Sequence, residues 1–283
     1  MILVTGAAGK TGQAIIQALV QRGAAVRALI YHPKHTDLMH QLGVKELVIG
    51  DMRQETTLQQ AMYQAKAVYH ICSNMNPAEV AIGQHAIHAA HWAKVAHFVY
   101  HSVLHPQCEA MPHHWHKLRV EEKLFASGLA VTILQPAAYM QNLLAYRAAI
   151  TTEGIYRLPY SPSTCISLVD LANVAEVAAK VLTEGGHAGA IYELVGLESP
   201  TQTEVAATLS ECLGRHVQAE QLPLAEWLTQ ARANGLGDYQ IETLAKMFRY
   251  YDQHYFVGNG RVLQWLLQRS ATTLEQFVRR EWA

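Results

Sequence analysis

Cysteine is scarce in this chain of 283 residues. The four present, Cys72, Cys108, Cys165 and Cys212, lie far apart with no CxxC pair. That spacing excludes a disulfide scaffold and points to buried or idle thiols in a reducing compartment. Charge is sparse too: 16% of residues are Asp, Glu, Lys or Arg, and the formal net charge is -1. No basic field draws such a chain toward nucleic acid or an acidic membrane, and no arginine-rich run is present. Long apolar runs are missing; none approaches the roughly 18 residues needed to span a bilayer. Met1 leads at once into Ile2-Leu3-Val4, with no basic segment and apolar stretch of a signal peptide. The expectation is a cytoplasmic protein with no direct contact to nucleic acid and none to membrane.

What the chain does have is apolar residues, half of the total, which is globular composition. A chain of this length forms one large or two small domains and buries roughly three quarters of its unfolded surface without covalent staples. Short apolar runs alternate with helical patterns. Strands are expected at residues 2–4, 25–30, 47–49, 67–72, 97–102 and 130–134, and helices at 11–21, 56–64, 78–93 and 112–127. This alternation predicts βαβ units, hence an α/β doubly wound parallel sheet of Rossmann type. After Pro136 the pattern loosens. A helix is expected at 141–150, strands returning to the sheet at 164–168 and 191–195 with a helix at 169–182 between them, and a mostly helical stretch from 201–213 onward. The dinucleotide-type domain is placed at 1–136 and 163–196, and a smaller, mostly helical lobe at 137–162 and 197–283.

The segment Gly6-Ala7-Ala8-Gly9-Lys10-Thr11-Gly12 stands between the first strand and the first helix. Gly6 makes the tight turn, Gly9 lets backbone N–H groups approach a pyrophosphate, and Gly12 lets the helix pack close to the sheet. The helix N-terminus offers unpaired donors and a positive dipole end. Gly9-Lys10-Thr11 also spells the end of a nucleotide-triphosphate loop, but that loop needs a glycine five residues earlier, where Val4 stands. The loop, with Gly6, Ala8, Gly9, Lys10, Thr11 and Gly12, is therefore read as holding a nicotinamide dinucleotide.

The end of the second strand reads Ile30-Tyr31-His32-Pro33-Lys34 and lacks the acidic residue that binds the ribose hydroxyls of NAD. Lys34 and His32 suit a 2′-phosphate and Tyr31 an adenine face, so NADP(H) is favoured over NAD(H). Asp51 and Met52 follow the third strand, where the adenine should sit. Ile71, Cys72 and Ser73 end the fourth and should border the cofactor ribose.

The run Val4 to Gly12, with Val26-Arg27-Ala28-Leu29, Gly50-Asp51, His97-Phe98-Val99-Tyr100, Ser127-Gly128-Leu129, Thr132-Ile133-Leu134 and Tyr192-Glu193-Leu194, resembles the NmrA-like branch of the atypical short-chain dehydrogenases/reductases. The likeness covers about the first 220 residues, and Thr273 to Phe277 resembles the family's C-terminal helix. The resemblance implies quinone and dye reductases or NADP-sensing regulators. It also implies a search for the Ser and Tyr-x-x-x-Lys set of classical reductases. Ser102 and Lys117 are the candidates, and His113 stands in the tyrosine position. Two readings follow: His113 replaces the acid, or the acceptor needs no strong acid, as with a quinone. The resemblance puts Pro136 and Tyr139 beside the nicotinamide and the acceptor, with Tyr139 as another source of a hydroxyl.

The 16 histidines raise the question of metal. His85, His88 and His91 repeat on one helix, and His113, His114 and His116 crowd beside Lys117. Neither group brings an acidic or cysteine ligand at suitable spacing, so no metal is expected and both read as exposed helix histidines. The favoured function is an NAD(P)H-dependent reductase of a quinone-like or other conjugated small molecule. A non-catalytic NADP(H) sensor with a protein partner stands second, and a sugar-nucleotide epimerase third. The helices at 78–93 and after Pro112 lie where classical relatives form homodimers.

Overall fold

The computed structural model describes residues 1–282. In chain order the first elements are β1 (Ile2–Val4), α1 (Lys10–Gln21), β2 (Val26–Ile30), α2 (Thr36–Gln41), β3 (Glu46–Ile49), α3 (Glu55–Met62), β4 (Ala67–His70), α4 (Glu79–Trp92), β5 (His97–His101), α5 (Pro112–Phe125) and β6 (Val131–Pro136). The rest are β7 (Ala138–Tyr139), α6 (Arg147–Thr152), β8 (Ile155–Leu158), β9 (Leu168–Val169), α7 (Leu171–Thr183), β10 (Ile191–Leu194), α8 (Gln202–Leu213), β11 (Gln218–Gln221), α9 (Leu224–Ala233), α10 (Asp238–Gln253), α11 (Arg261–Leu267) and α12 (Leu274–Glu281).

Seven strands form one sheet in the order β10-β6-β5-β4-β1-β2-β3. The pairings from β6 to β3 are all parallel. The order reverses between β1 and β4, which in a doubly wound sheet opens the ligand crevice beyond the carboxyl ends of those strands. β2, β4 and β6 are buried along their whole length, as expected of interior parallel strands covered on both faces.

The chain divides into two compact units. The first comprises Met1–Gln107, His113–Gln135 and Val174–Tyr192; the second comprises Cys108–Pro112, Pro136–Asn173 and Glu193–Ala283. In the first, α3, α4 and α5 share a core. Leu58 and Met62, Ala86 and Ala90, and Val120 and Leu124 pack with Leu3, Val68, Phe98 and Ile133 of the strands. The small face of α4 sets the helix spacing: a Cβ at Gly83 would stand 2.7 Å from both Val120 methyls. Buried Arg27 on β2 ties the end of α3 to the sheet, donating from Nη1 to the carbonyls of Ala61 at 2.8 Å and Tyr63 at 2.6 Å and pairing with Glu46. Those carbonyls belong to the helix end whose own acceptors run out.

The second unit carries two small parallel pairs, β11 with β8 and β7 with β9, and the helices α8 to α12. Capping boxes start α8 (Thr201 with Glu204) and α12 (Thr273 with Gln276). Two expectations are corrected here. The helix at 141–150 is a 3-10 segment over Met140–Tyr146 that passes into α6. Residues 164–168 do not rejoin the main sheet; their backbone donors are met by other loops of the second unit, Ile166 N–H by Pro200 O at 3.2 Å and Ser167 N–H by Phe256 O at 2.9 Å. Only Leu168 continues into strand, beside β7.

Gly83→Val places branched bulk where a single methyl already overlaps Val120. Overpacking of this kind costs about 1–3 kcal/mol, and valine's modest helix propensity returns under 1 kcal/mol relative to glycine. The expected result in urea unfolding is a lower midpoint with an unchanged slope. An unchanged midpoint would contradict the close α4–α5 contact.

Candidate functional site

The glycine loop turns on Gly6, whose φ of +56° favours glycine. A Cβ there would meet the Ile71 carbonyl oxygen at 2.8 Å, and one at Gly12 would meet the Gly6 oxygen at 2.5 Å. Gly9 differs: a Cβ there would touch only the Gly6 oxygen, at 3.4 Å. The protein leaves that side open. α1 begins at this point with no side-chain cap, and its first intrahelical bond runs from Gln13 N–H to Gly9 O at 2.9 Å. The N–H groups of Lys10, Thr11 and Gly12 thus face outward in the way that receives a phosphate. Gln13 braces the loop by donating to Ala8 O at 2.7 Å. These residues fit the pyrophosphate of a dinucleotide.

At the carboxyl ends of β2 and β3, Tyr31, His32 and Lys34 are exposed. His32 Nδ1 accepts the Lys34 N–H at 3.1 Å and so caps the short turn after β2. Asp51 accepts the Arg53 N–H at 2.9 Å and pairs with its guanidinium at 2.6 Å. The bonds from Arg53 hold the Asp51 carboxyl below its usual range despite partial burial. Arg53 also reaches the Tyr31 hydroxyl. Sequence reasoning passed over Arg53; its signal was a lone basic residue two positions after Asp51. Met52 is half-buried against the core cluster.

The carboxyl ends of β4 and β5 hold a buried polar cluster. Thr5 Oγ1 accepts the Ile71 N–H at 2.9 Å, lies 3.0 Å from Ile71 O, and shares a hydrogen bond with His70 Nδ1 at 3.1 Å. Cys72 is buried, and the thiol is pushed up to about 12, mainly by burial and then by Glu79. Ser73 is exposed and accepts from Asn76. Lys117 Nζ donates to Glu79 Oε1 at 3.0 Å and to His101 O at 3.1 Å, and the Tyr100 hydroxyl donates to the same Glu79 oxygen at 2.9 Å. The Tyr69 hydroxyl bonds His101 Nδ1. Ser102 donates to Glu121, which also accepts from Gln135 at 3.0 Å. Burial raises the Glu121 carboxyl against the pull of those donors and of Lys117. Glu79, Tyr100, His101 and Glu121 were not singled out from sequence, since each partnership joins separate strands or helices. Pro136 and Tyr139 belong to the second unit, Pro136 buried at the end of β6 and Tyr139 half-buried on β7 against β9.

The histidines depart from the exposed helix residues expected. His88 and His91 are exposed, but His114 is buried and His113 half-buried, because that face of α5 turns inward with Lys117. His114 Nδ1 meets the His105 carbonyl at 3.2 Å. Burial, then the neighbouring His114 and Lys117, pushes His113 down to about 3. Burial likewise holds His70 and His114 near 4 and His101 near 3. His113 is thus a neutral imidazole near pH 7, not the near-neutral acid its type suggested. Among the described residues no three His, Cys, Asp or Glu gather as a metal ligand set, and no helix is long and apolar enough to cross a membrane.

A histidine whose folded pKa lies below its unfolded value binds its proton more readily in the unfolded chain. The stability from these four is fully present above about pH 6.5 and is lost as pH falls toward 4, by at most about 1.4 kcal/mol per pH unit for each. Thermal unfolding is expected to show Tm level down to about pH 6.5 and dropping steeply from there toward pH 4, with His114→Asn flattening the slope. A Tm level over that range would mean the imidazoles are solvated.

The model of the NmrA-like family matches residues 1–281. The chain is 27% identical to an NAD(P)H azoreductase of Xenophilus azovorans, over 99% of this chain and 97% of that protein. It is 27% identical to quinone oxidoreductase 2 of Escherichia coli (strain K12), over 98% of this chain and 97% of that protein. The crystal structure of an NADPH-dependent quinone oxidoreductase of Escherichia coli complexed with NADPH superposes with a TM-score of 0.88 at 26% identity, covering all of both chains. With the glycine loop, the reversed strand order and a family match running from the first residue to 281, the chain belongs to the NmrA-like family.

Proposed function

We propose that the chain is an NADPH-dependent reductase of a quinone-like or other conjugated small molecule. The observation that carries this reading is the full-length likeness to an NAD(P)H azoreductase and a quinone oxidoreductase, joined to a glycine loop whose open side and uncapped helix suit a pyrophosphate. When bound, the dinucleotide supplies a hydride.

The chain's own residues divide the remaining work. The N–H groups of Lys10, Thr11 and Gly12 hold phosphate. Lys34 and Arg53, with no acid at the end of β2, receive the 2′-phosphate, and Tyr31 offers a face to the adenine. Lys117 has two of its three protons committed, to Glu79 and to His101 O, and the third serves a ribose hydroxyl. Ser102 is committed to Glu121, and His113 is neutral near pH 7. That set lacks a strong acid in the first unit. It suits acceptors whose reduced oxygens or nitrogens are weakly basic and take a proton from solvent.

Fluorescence titration with NADPH and NADH, followed by a panel of quinones and azo dyes, tests this. NADPH is expected to bind more tightly and to be consumed with at least one acceptor. Arg53→Ala is expected to weaken NADPH binding about tenfold, the scale of one charge-assisted hydrogen bond, while changing NADH less than about twofold. NADPH that binds and persists against the whole panel favours the sensor instead.

A further inference from the structure

We propose that Glu79 sets the balance between the oxidised and reduced forms of the bound dinucleotide by holding one compensating negative charge against Lys117. This rests on the dinucleotide reading given above.

The pair is buried: the Glu79 side chain is 4% exposed and that of Lys117 12%. Burying two ions costs several kcal/mol that their attraction only partly repays, and a neutral acceptor would orient an ammonium at lower cost. The His101 carbonyl already provides one. Glu79 therefore adds charge rather than direction. It also lies close to the cofactor loop through a short chain of contacts. Gly6 abuts the Ile71 carbonyl, Thr5 clamps the Ile71 N–H, and the next residue, Cys72, lies within the field of Glu79, which helps to keep its thiol protonated.

The other groups around the pair leave its charges nearly alone. His70 faces it from β4, His101 from β5 and His113 and His114 from α5; all four are held neutral by burial. Tyr100 and Cys72 keep their protons. Glu121, one turn beyond Lys117, is the remaining carboxylate, and it is occupied by Ser102 and Gln135.

The oxidised nicotinamide ring carries one positive charge that the reduced ring lacks. In a poorly screened site a fixed carboxylate favours the oxidised ring and a fixed ammonium disfavours it. The pair as found is near neutral and lets both forms bind. Lys117 without Glu79 would repel the oxidised form and hasten its release.

The test is the ratio of the dissociation constants of NADP+ and NADPH, measured by titration of the full chain. The ratio cancels any uniform loss of fit. Glu79→Gln keeps the size and the acceptor oxygen but removes the charge. It is expected to raise the ratio about tenfold, the effect of one charge at an intermediate interior dielectric. Lys117→Gln is expected to move it the opposite way, although it weakens both forms by removing the ribose contact. Thermal unfolding of each variant confirms that it is folded, and if only one folds, its sign decides. A ratio within about twofold of the parent, or a shift of the same sign in both variants, overturns the proposal. A parent chain that binds neither form overturns the dinucleotide reading itself.

Discussion

The site depends on how closely the backbone after β1 approaches the backbone after β4. Gly6 and Ile71 meet where no Cβ fits, and the Thr5 hydroxyl closes the gap where the strand ladder ends, taking the Ile71 N–H that no strand partner serves. Buried N–H groups must be satisfied somewhere. Here one side chain does it at the strand-order reversal, joining the glycine turn to the segment Ile71–Cys72. Past Cys72 stands a second buried group, in which Lys117 of α5 bonds Glu79 and the His101 carbonyl.

The same burial that makes this possible decides the charges. Carboxyl groups this deeply buried need donors, and Glu79 and Glu121 each have two or more. Imidazoles at similar depth lose their charge instead, since desolvation outweighs every nearby acceptor. The cluster consequently holds one firmly paired cation, its carboxylate, a second carboxyl at Glu121 held by Ser102 and Gln135, and neutral histidines around them. A site with several charged imidazoles would repel both Lys117 and an oxidised nicotinamide, and it would soften at neutral pH.

What was legible in the sequence was local. The glycine spacing, the strand–helix alternation and the helical pattern from Thr201 lie within a few residues, and their physical causes act over the same range. The partnerships of the buried cluster span 16 to 38 residues for Lys117 alone, and periodicity carries no record of them. Glu79 reads as an ordinary acidic residue in the first turn of a helix, and Arg53 as a solvated loop residue. The histidines at 113, 114 and 116 misled for a related reason: a polar type on a helix suggests solvent, and which face turns inward is set by the sheet edge beyond. Residues 164–168 have strand composition, but their hydrogen-bond partners come from loops near Pro200 and Phe256 that no local rule could supply.

On the proposed reading, His113 in the place of a catalytic tyrosine has a physical consequence. A tyrosine beside a lysine works as an acid because its pKa can be pulled down toward neutrality. The buried Tyr100 is pushed the other way, first by burial and then by Glu79, the carboxylate to which it donates. The histidine is pushed down instead of up. The candidate acid His113 and the neighbouring Tyr100 are thus both tuned away from proton delivery, which would be costly in an enzyme forming an alkoxide. For an acceptor whose reduced form is already weakly basic, it removes only a step that solvent can perform. On the proposed reading, the loss of the tyrosine is a narrowing of substrate chemistry, and the buried Glu79–Lys117 pair belongs to cofactor handling rather than to proton transfer.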